Sequence, residues 1–175
     1  MLSGKLQGQF LNLIARMINP KNILEIGTFT GFSALSMAYG MSENSHLYTI
    51  EVNPEQEEII RKYIEKSGFS KQITLIIGEA KNEIPKFENH FFELIFLDAD
   101  KVNYPLYYEL LIPKLKKGGV LIADNALWSG AVINENATDK EVVALRVLNN
   151  LVQNDPQTQN VLLPFRDGLM CVMKI

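Results

Sequence analysis

The stretch Leu24-Glu25-Ile26-Gly27-Thr28-Phe29-Thr30-Gly31-Phe32-Ser33 closes a short apolar run with a turn bracketed by two glycines. A glycine directly after a buried strand lets backbone approach a ligand, and the N-terminus of a following helix offers free N–H groups to an anion. The spacing is G-x-x-x-G, unlike the G-x-G-x-x-G of nicotinamide-binding turns, and no G-K-[ST] follows, which excludes a P-loop. A tight turn with glycines kept for packing would read the same way, so the turn alone leaves both roles open.

On either side, apolar runs alternate with helical patterns. Residues 23–26, 47–50, 73–77, 94–97 and 120–123 are compact and rich in β-branched residues. Most are near-continuously apolar, which predicts strands buried on both faces of a parallel sheet. A first helix is expected over about 7–18. Asn53, Pro54 and Gln56 read as an N-cap, a first-position proline and a capping-box partner, with Gly68 as the stop. A second capping box, Thr138 to Glu141, opens a helix running to about 154. Lys117-Gly118-Gly119 is expected to break the chain before the fifth strand. Residues 161–163 and 169–174, joined by Pro164-Phe165-Arg166-Asp167-Gly168, suit an antiparallel hairpin. The expected architecture is α/β: five βα units, then a closing hairpin.

Composition narrows the function classes. A chain of 175 residues predicts one domain, with 47% hydrophobic and 21% charged residues arguing against disorder. A net charge of −3 disfavours a protein that wraps duplex nucleic acid. One cysteine, Cys171, rules out an internal disulfide framework and a multi-cysteine zinc site; its apolar neighbours predict a buried, inert thiol. No apolar stretch reaches membrane-span length and Met1–Leu6 lacks a secretion-signal pattern, so a cytoplasmic protein without a membrane partner is expected. Met17, Met37 and Met41 read as core filler.

Chemistry gathers at strand ends. Glu51 lies 24 residues after Gly27, the offset at which an acid accepts hydrogen bonds from ribose hydroxyls in doubly wound folds. Together the pair predicts a nucleoside-containing cofactor. In Phe96-Leu97-Asp98-Ala99-Asp100-Lys101 an apolar strand meets three charges in four residues. Ala123-Asp124-Asn125 ends the fifth strand, with Trp128 close behind. Where strands four and five are neighbours, Asp98, Asp124 and Asn125 converge. Two carboxylates and an amide oxygen are hard ligands, suited to Mg²⁺, Mn²⁺ or Ca²⁺ and not to zinc. Each aspartate taken alone also reads as a helix N-cap.

Taken jointly, Leu24–Ser33, Tyr48–Asn53, Gly78–Ala80, Phe96–Tyr104, Ala123–Gly130 and Leu163–Gly168 resemble the cation-dependent, S-adenosylmethionine-dependent O-methyltransferases of the caffeoyl-CoA and catechol type, particularly small bacterial members. The resemblance implies a Rossmann-like, doubly wound, mainly parallel seven-stranded sheet with an antiparallel C-terminal hairpin. It places Gly27, Phe29 and Ser33 around the methionine portion of the cofactor, Glu51 and Val52 at the ribose, and Gly78 with Ala80 at the adenine. It assigns Asp98 to cofactor and metal, Asp124 and Asn125 to the metal, Lys101 to catalysis and Trp128 to a wall of the acceptor pocket. Relatives carry further helices before the point matching Met1, so residues 1–175 are expected to form a single domain without that extension, as a homodimer weakened by its loss. The implied reaction moves a methyl group to a hydroxyl of a catechol-like vicinal diol. Two alternatives stand beside it: a hydroxylated uridine of tRNA as acceptor, and a non-catalytic cofactor-binding domain.

Overall fold

A computed structural model describes residues 4–175. Its seven strands are β1 (Asn22–Ile26), β2 (His46–Glu51), β3 (Ile73–Ile77), β4 (Phe92–Leu97), β5 (Leu115–Ala123), β6 (Thr158–Leu163) and β7 (Leu169–Lys174). The helices are α1 (Lys5–Ile18), α2 (Phe32–Ala38), α3 (Glu57–Ser67), α4 (Ala80–Glu83), α5 (Tyr104–Leu111) and α6 (Lys140–Asn154), with short 3₁₀ turns between them. The strands form one sheet in the order β3-β2-β1-β4-β5-β7-β6. β1 to β5 are parallel, and β7 runs antiparallel to both β5 and β6. The parallel strands and closing hairpin are those the alternating runs predict, and the doubly wound seven-stranded order is the one the resemblance implies.

The near-continuous apolar strands are buried because helices cover both faces. Alternation along β1 sends Leu24 and Ile26 into a core shared with α5 and α6. Ile23 points the other way, into a core with Leu11, Ala15 and Met37 of α1 and α2. Each fully buried aliphatic side chain contributes about 1.5–3 kcal/mol. α1 and α2 pack closely because Gly8 has no side chain; a Cβ there would lie 2.8 Å from Ser36 Oγ. Gly68 ends α3 in the left-handed conformation, as expected of a glycine stop. Among the described residues, no helix is long and apolar enough to cross a membrane.

Four local expectations are corrected. Asn53 Oδ1 does accept from Glu55 N at 3.0 Å, but Asn53 N donates to Glu51 Oε1 and not to Gln56, because the first turn is 3₁₀. The N-cap of α6 is Asp139 and not Thr138: the first helical bond runs from Val143 N to Asp139 O. Gly118-Gly119 does not precede β5 but lies inside it, at a register shift where Phe92 faces Leu115 and Leu94 faces Val120. Gly118, at φ +78°, supplies the conformation for that bulge. Met17 is 72% exposed, off the Leu11–Ala15 stripe, whereas Met37 is fully buried as expected. Cys171 is half-buried, and burial pushes its thiol up to about 11.

Strand order reverses beside β1, which pairs with β2 on one side and β4 on the other. Open α/β sheets bind ligands beyond the strand ends at such a switch point. Gly27 sits there at φ +94°, and a Cβ on it would lie 2.1 Å from the Asp98 carbonyl oxygen. Gly27→Ala is therefore expected to lower unfolding free energy by about 2 kcal/mol or more. Urea denaturation checks this; a midpoint equal to wild type contradicts the close approach.

Candidate functional site

The loops after β1, β2 and β4 frame a cleft of about 400 Å³ lined by Gly27, Phe29, Glu51, Val52, Gly78, Ala80 and Asp98, among others. Glu51 is nearly buried, and two backbone donors fix it: Phe29 N to Oε2 at 2.7 Å and Asn53 N to Oε1 at 2.9 Å. A carboxylate has about four lone-pair sites, so this anchoring leaves acceptor capacity for a ligand. Gly78 N bonds Glu51 O, which carries the β2–β3 ladder to the cleft floor.

A second cleft of about 490 Å³ opens on the other side of Gly27, Phe29 and Asp98. Its lining includes Ser33, Lys101, Asn125 and Trp128. Asp98 N bonds Ile26 O and Asp124 N bonds Leu97 O, so the two aspartates continue the β1–β4–β5 ladder and emerge side by side. Burial raises the Asp124 carboxyl above its usual range, and the Asp98 charge raises it further. Lys101 is 9% exposed; Nζ lies 2.8 Å from Asp98 Oδ1 and donates to Tyr104 Oη at 2.7 Å. Tyr104 in turn donates to Leu97 O.

The structure thus brings the expected site residues into two clefts with a shared wall, except Asp124, which is buried and lines neither but accepts from the backbone N of Asn125 in the second. Several residues of the site were missed. Gln7 is fully buried and donates to Asp124 Oδ2 at 2.7 Å, while its Oε1 accepts from Arg166. Asp167 accepts from Asn125 Nδ2 at 3.1 Å and from Ser129 N. These partners lie far from one another in sequence or in turns, where no period marks them. Asp100, by contrast, was already among the three charges read after β4, and it accepts from Tyr107 Oη. Among the described residues, no group of three or more His, Cys, Asp or Glu could hold a metal; Asp98 after β4 and Asp124 with Asn125 after β5 make two carboxylates and an amide.

Glu25 was also missed, hidden in the apolar run of β1. It is wholly buried, accepts from Thr49 Oγ1, and has no partner for Oε1. Thr28 Oγ1 lies 2.5 Å from Thr49 Oγ1, linking this carboxyl to the glycine turn. Burial pushes Glu25 up to about 8; the Ser33 and Thr49 hydroxyls offset part of that, and the Asp98 and Glu51 charges add to it.

A doubly wound sheet with an acid-anchored cleft at the switch point and a reversed last strand defines a Rossmann-like methyltransferase. Comparison with known proteins agrees. The sequence profile described as "O-methyltransferase" matches residues 1–175. Caffeoyl-CoA O-methyltransferase 1 of Arabidopsis thaliana is 34% identical over 180 residues, covering 97% of this chain and 70% of that protein. Catechol O-methyltransferase of Niastella koreensis is 34% identical over 149 residues, covering 83% and 67%. The crystal structure of an O-methyltransferase from Bacillus cereus in complex with SAH superposes with a TM-score of 0.93 at 31% identity, covering 99% of this chain and 83% of that one. The chain belongs to the O-methyltransferase family.

Glu25 carries a pH prediction. Its carboxyl moves from an ordinary 4.5 to about 8 in the fold, so between those values the folded state keeps a proton that the unfolded chain sheds. The folded state then binds more protons, and stability from this group falls as pH rises across that window. Glu25→Gln removes the effect. The variant's unfolding free energy should gain on wild type steadily between pH 4.5 and about 8, read by denaturant titration. A difference independent of pH contradicts the assignment.

Proposed function

We propose that this chain moves a methyl group from S-adenosylmethionine to one hydroxyl of a catechol-like vicinal diol, assisted by a divalent cation. The observation that carries this reading is the shared wall: Gly27, Phe29 and Asp98 belong to both clefts, so a cofactor in one presents its reacting end to the other. Glu51, Val52, Gly78 and Ala80 take the nucleoside half; Gly27, Phe29, Ser33 and Asp98 take the methionine half. Trp128 provides an apolar wall for the acceptor ring. The names of the Arabidopsis and Niastella relatives support this acceptor class, since caffeoyl and catechol rings both carry adjacent hydroxyls.

The donor set fits a hard cation. Asp98 and Asp124 lie close enough for one charge to disfavour the other, which a cation would relieve. Asp98, Asp124 and Asn125 would hold Mg²⁺, Mn²⁺ or Ca²⁺. Bound there, the cation supplies Lewis acidity that lowers the pKa of an acceptor hydroxyl, otherwise about 10 for a phenol. The protein does the rest. The clefts align the acceptor oxygen with the methyl carbon; the new O–C bond forms as the S–C bond breaks, leaving S-adenosylhomocysteine. The hydroxyl proton leaves before or during that step, to the Lys101 amine or, where Lys101 is an ammonium, to water. Lys101, held between Asp98 and Tyr104, faces that oxygen and either takes its proton as the amine or stabilises its anion as the ammonium.

A methyl-transfer assay over vicinal diols, monophenols and tRNA, each with Mg²⁺ or with EDTA, tests the reading. Turnover is expected on diols and only with the cation. Asp98→Ala or Asp124→Ala should abolish it without unfolding the chain, and Asn125→Ala should be milder. Turnover that persists in EDTA contradicts the cation; methylation confined to tRNA contradicts the acceptor; cofactor binding with no turnover on any acceptor indicates a binding domain. A second prediction concerns Lys101→Ala, which should lower kcat roughly 100-fold while cofactor affinity stays near wild type. Wild-type kcat in that variant removes Lys101 from the reaction.

A further inference from the structure

The turn between β6 and β7 docks against the loop that follows β5. Ala126 N donates to Gly168 O at 3.0 Å and Leu127 N to Asp167 O at 2.9 Å. That loop is conformationally unusual: Asn125, Trp128 and Ser129 all have positive φ, at 63°, 45° and 52°. Such a conformation persists only when the surroundings hold it. The Asp167 side chain adds two further contacts to this backbone docking. One carboxylate oxygen accepts from Ser129 N and the other from Asn125 Nδ2.

An ionised carboxylate accepts hydrogen bonds and donates none. The Asn125 amide must therefore turn its NH₂ toward Asp167 and its carbonyl oxygen away. Asn125 is nearly buried and lines the cleft beside Asp98. We propose that Asp167 is the positioning residue that fixes the Asn125 amide with Oδ1 available to the cation, so that the hairpin turn governs cation affinity from outside the ligand set. The inference rests on the reading of Asp98, Asp124 and Asn125 as cation ligands.

Asp167→Asn is the informative change, because it keeps the shape of the side chain. Its amide has one acceptor oxygen for the two donors that Asp167 serves, so its NH₂ opposes Ser129 N or the Asn125 NH₂. Calorimetric titration with Mn²⁺ should show affinity weakened roughly 10- to 100-fold, the range for lost ligand-orienting contacts. Affinity for S-adenosylhomocysteine and the melting temperature should stay near wild type. In an Asn125→Ala background the same change should add no further loss. Asp167→Ala, which brings no opposing donor, should give the same pattern and replaces the amide variant where that one does not fold.

Wild-type Mn²⁺ affinity in Asp167→Asn, with weakening in Asn125→Ala, overturns the inference and leaves the cation reading standing. Losses of Mn²⁺ affinity, S-adenosylhomocysteine affinity and melting temperature together show a merely structural residue and also overturn it. A wild-type protein that binds no Mn²⁺, or binds it as well after Asp98→Ala, overturns the cation reading and the inference with it.

Discussion

The site depends on one steric constraint, the passage of the Gly27 backbone beneath the carbonyl of Asp98. The gap has no room for even a single carbon, since a Cβ would sit 2.1 Å from that oxygen. Gly27 N bonds Ile50 O on one side, and Asp98 N bonds Ile26 O on the other. The parallel ladder therefore continues past β1 in both directions, and the glycine turn and the Asp98 loop become one wall. Two clefts meet at that wall. Without it, the groups that hold the proposed cofactor and those that meet the proposed acceptor would not share an edge.

The other half of the site is closed by segments distant in the chain. Gln7 of α1 reaches Asp124 across 117 positions, and Arg166 of the hairpin turn reaches Gln7 across 159. These amides and charges give Asp124 a hydrogen-bonded setting where burial alone would disfavour its ionised form. The reversed last strand has a structural consequence here. An antiparallel β7 places the β6–β7 turn at the same end of the sheet as the outgoing ends of the parallel strands, so Arg166 and Asp167 arrive beside Asp124 and Asn125.

Much of this was legible in the sequence, and the reason is local. The strands read as continuous apolar runs because both faces are covered. Gly27, Glu51, Asp98 and Asp124 read clearly because each is a sudden glycine or charge at the end of such a run. The bulge at Gly118 was taken for a break, since a glycine pair looks alike before a strand and within one. Glu25 was passed over because an acid inside an apolar run gives no local sign that Thr49, 24 positions away, will bond it. Gln7, Arg166 and Asp167 carry no periodic signal at all; their roles arise from tertiary contacts alone.

The central claim is that one wall joins a cofactor cleft to a cation-assisted acceptor cleft. It is tested most directly by anomalous diffraction from crystals grown with Mn²⁺, S-adenosylhomocysteine and a catechol. The account predicts a manganese peak among Asp98, Asp124 and Asn125, with the cofactor ribose on Glu51 and its sulfur on the Gly27 side of the acceptor. Manganese bound elsewhere, or a cofactor whose ribose avoids Glu51, would contradict it.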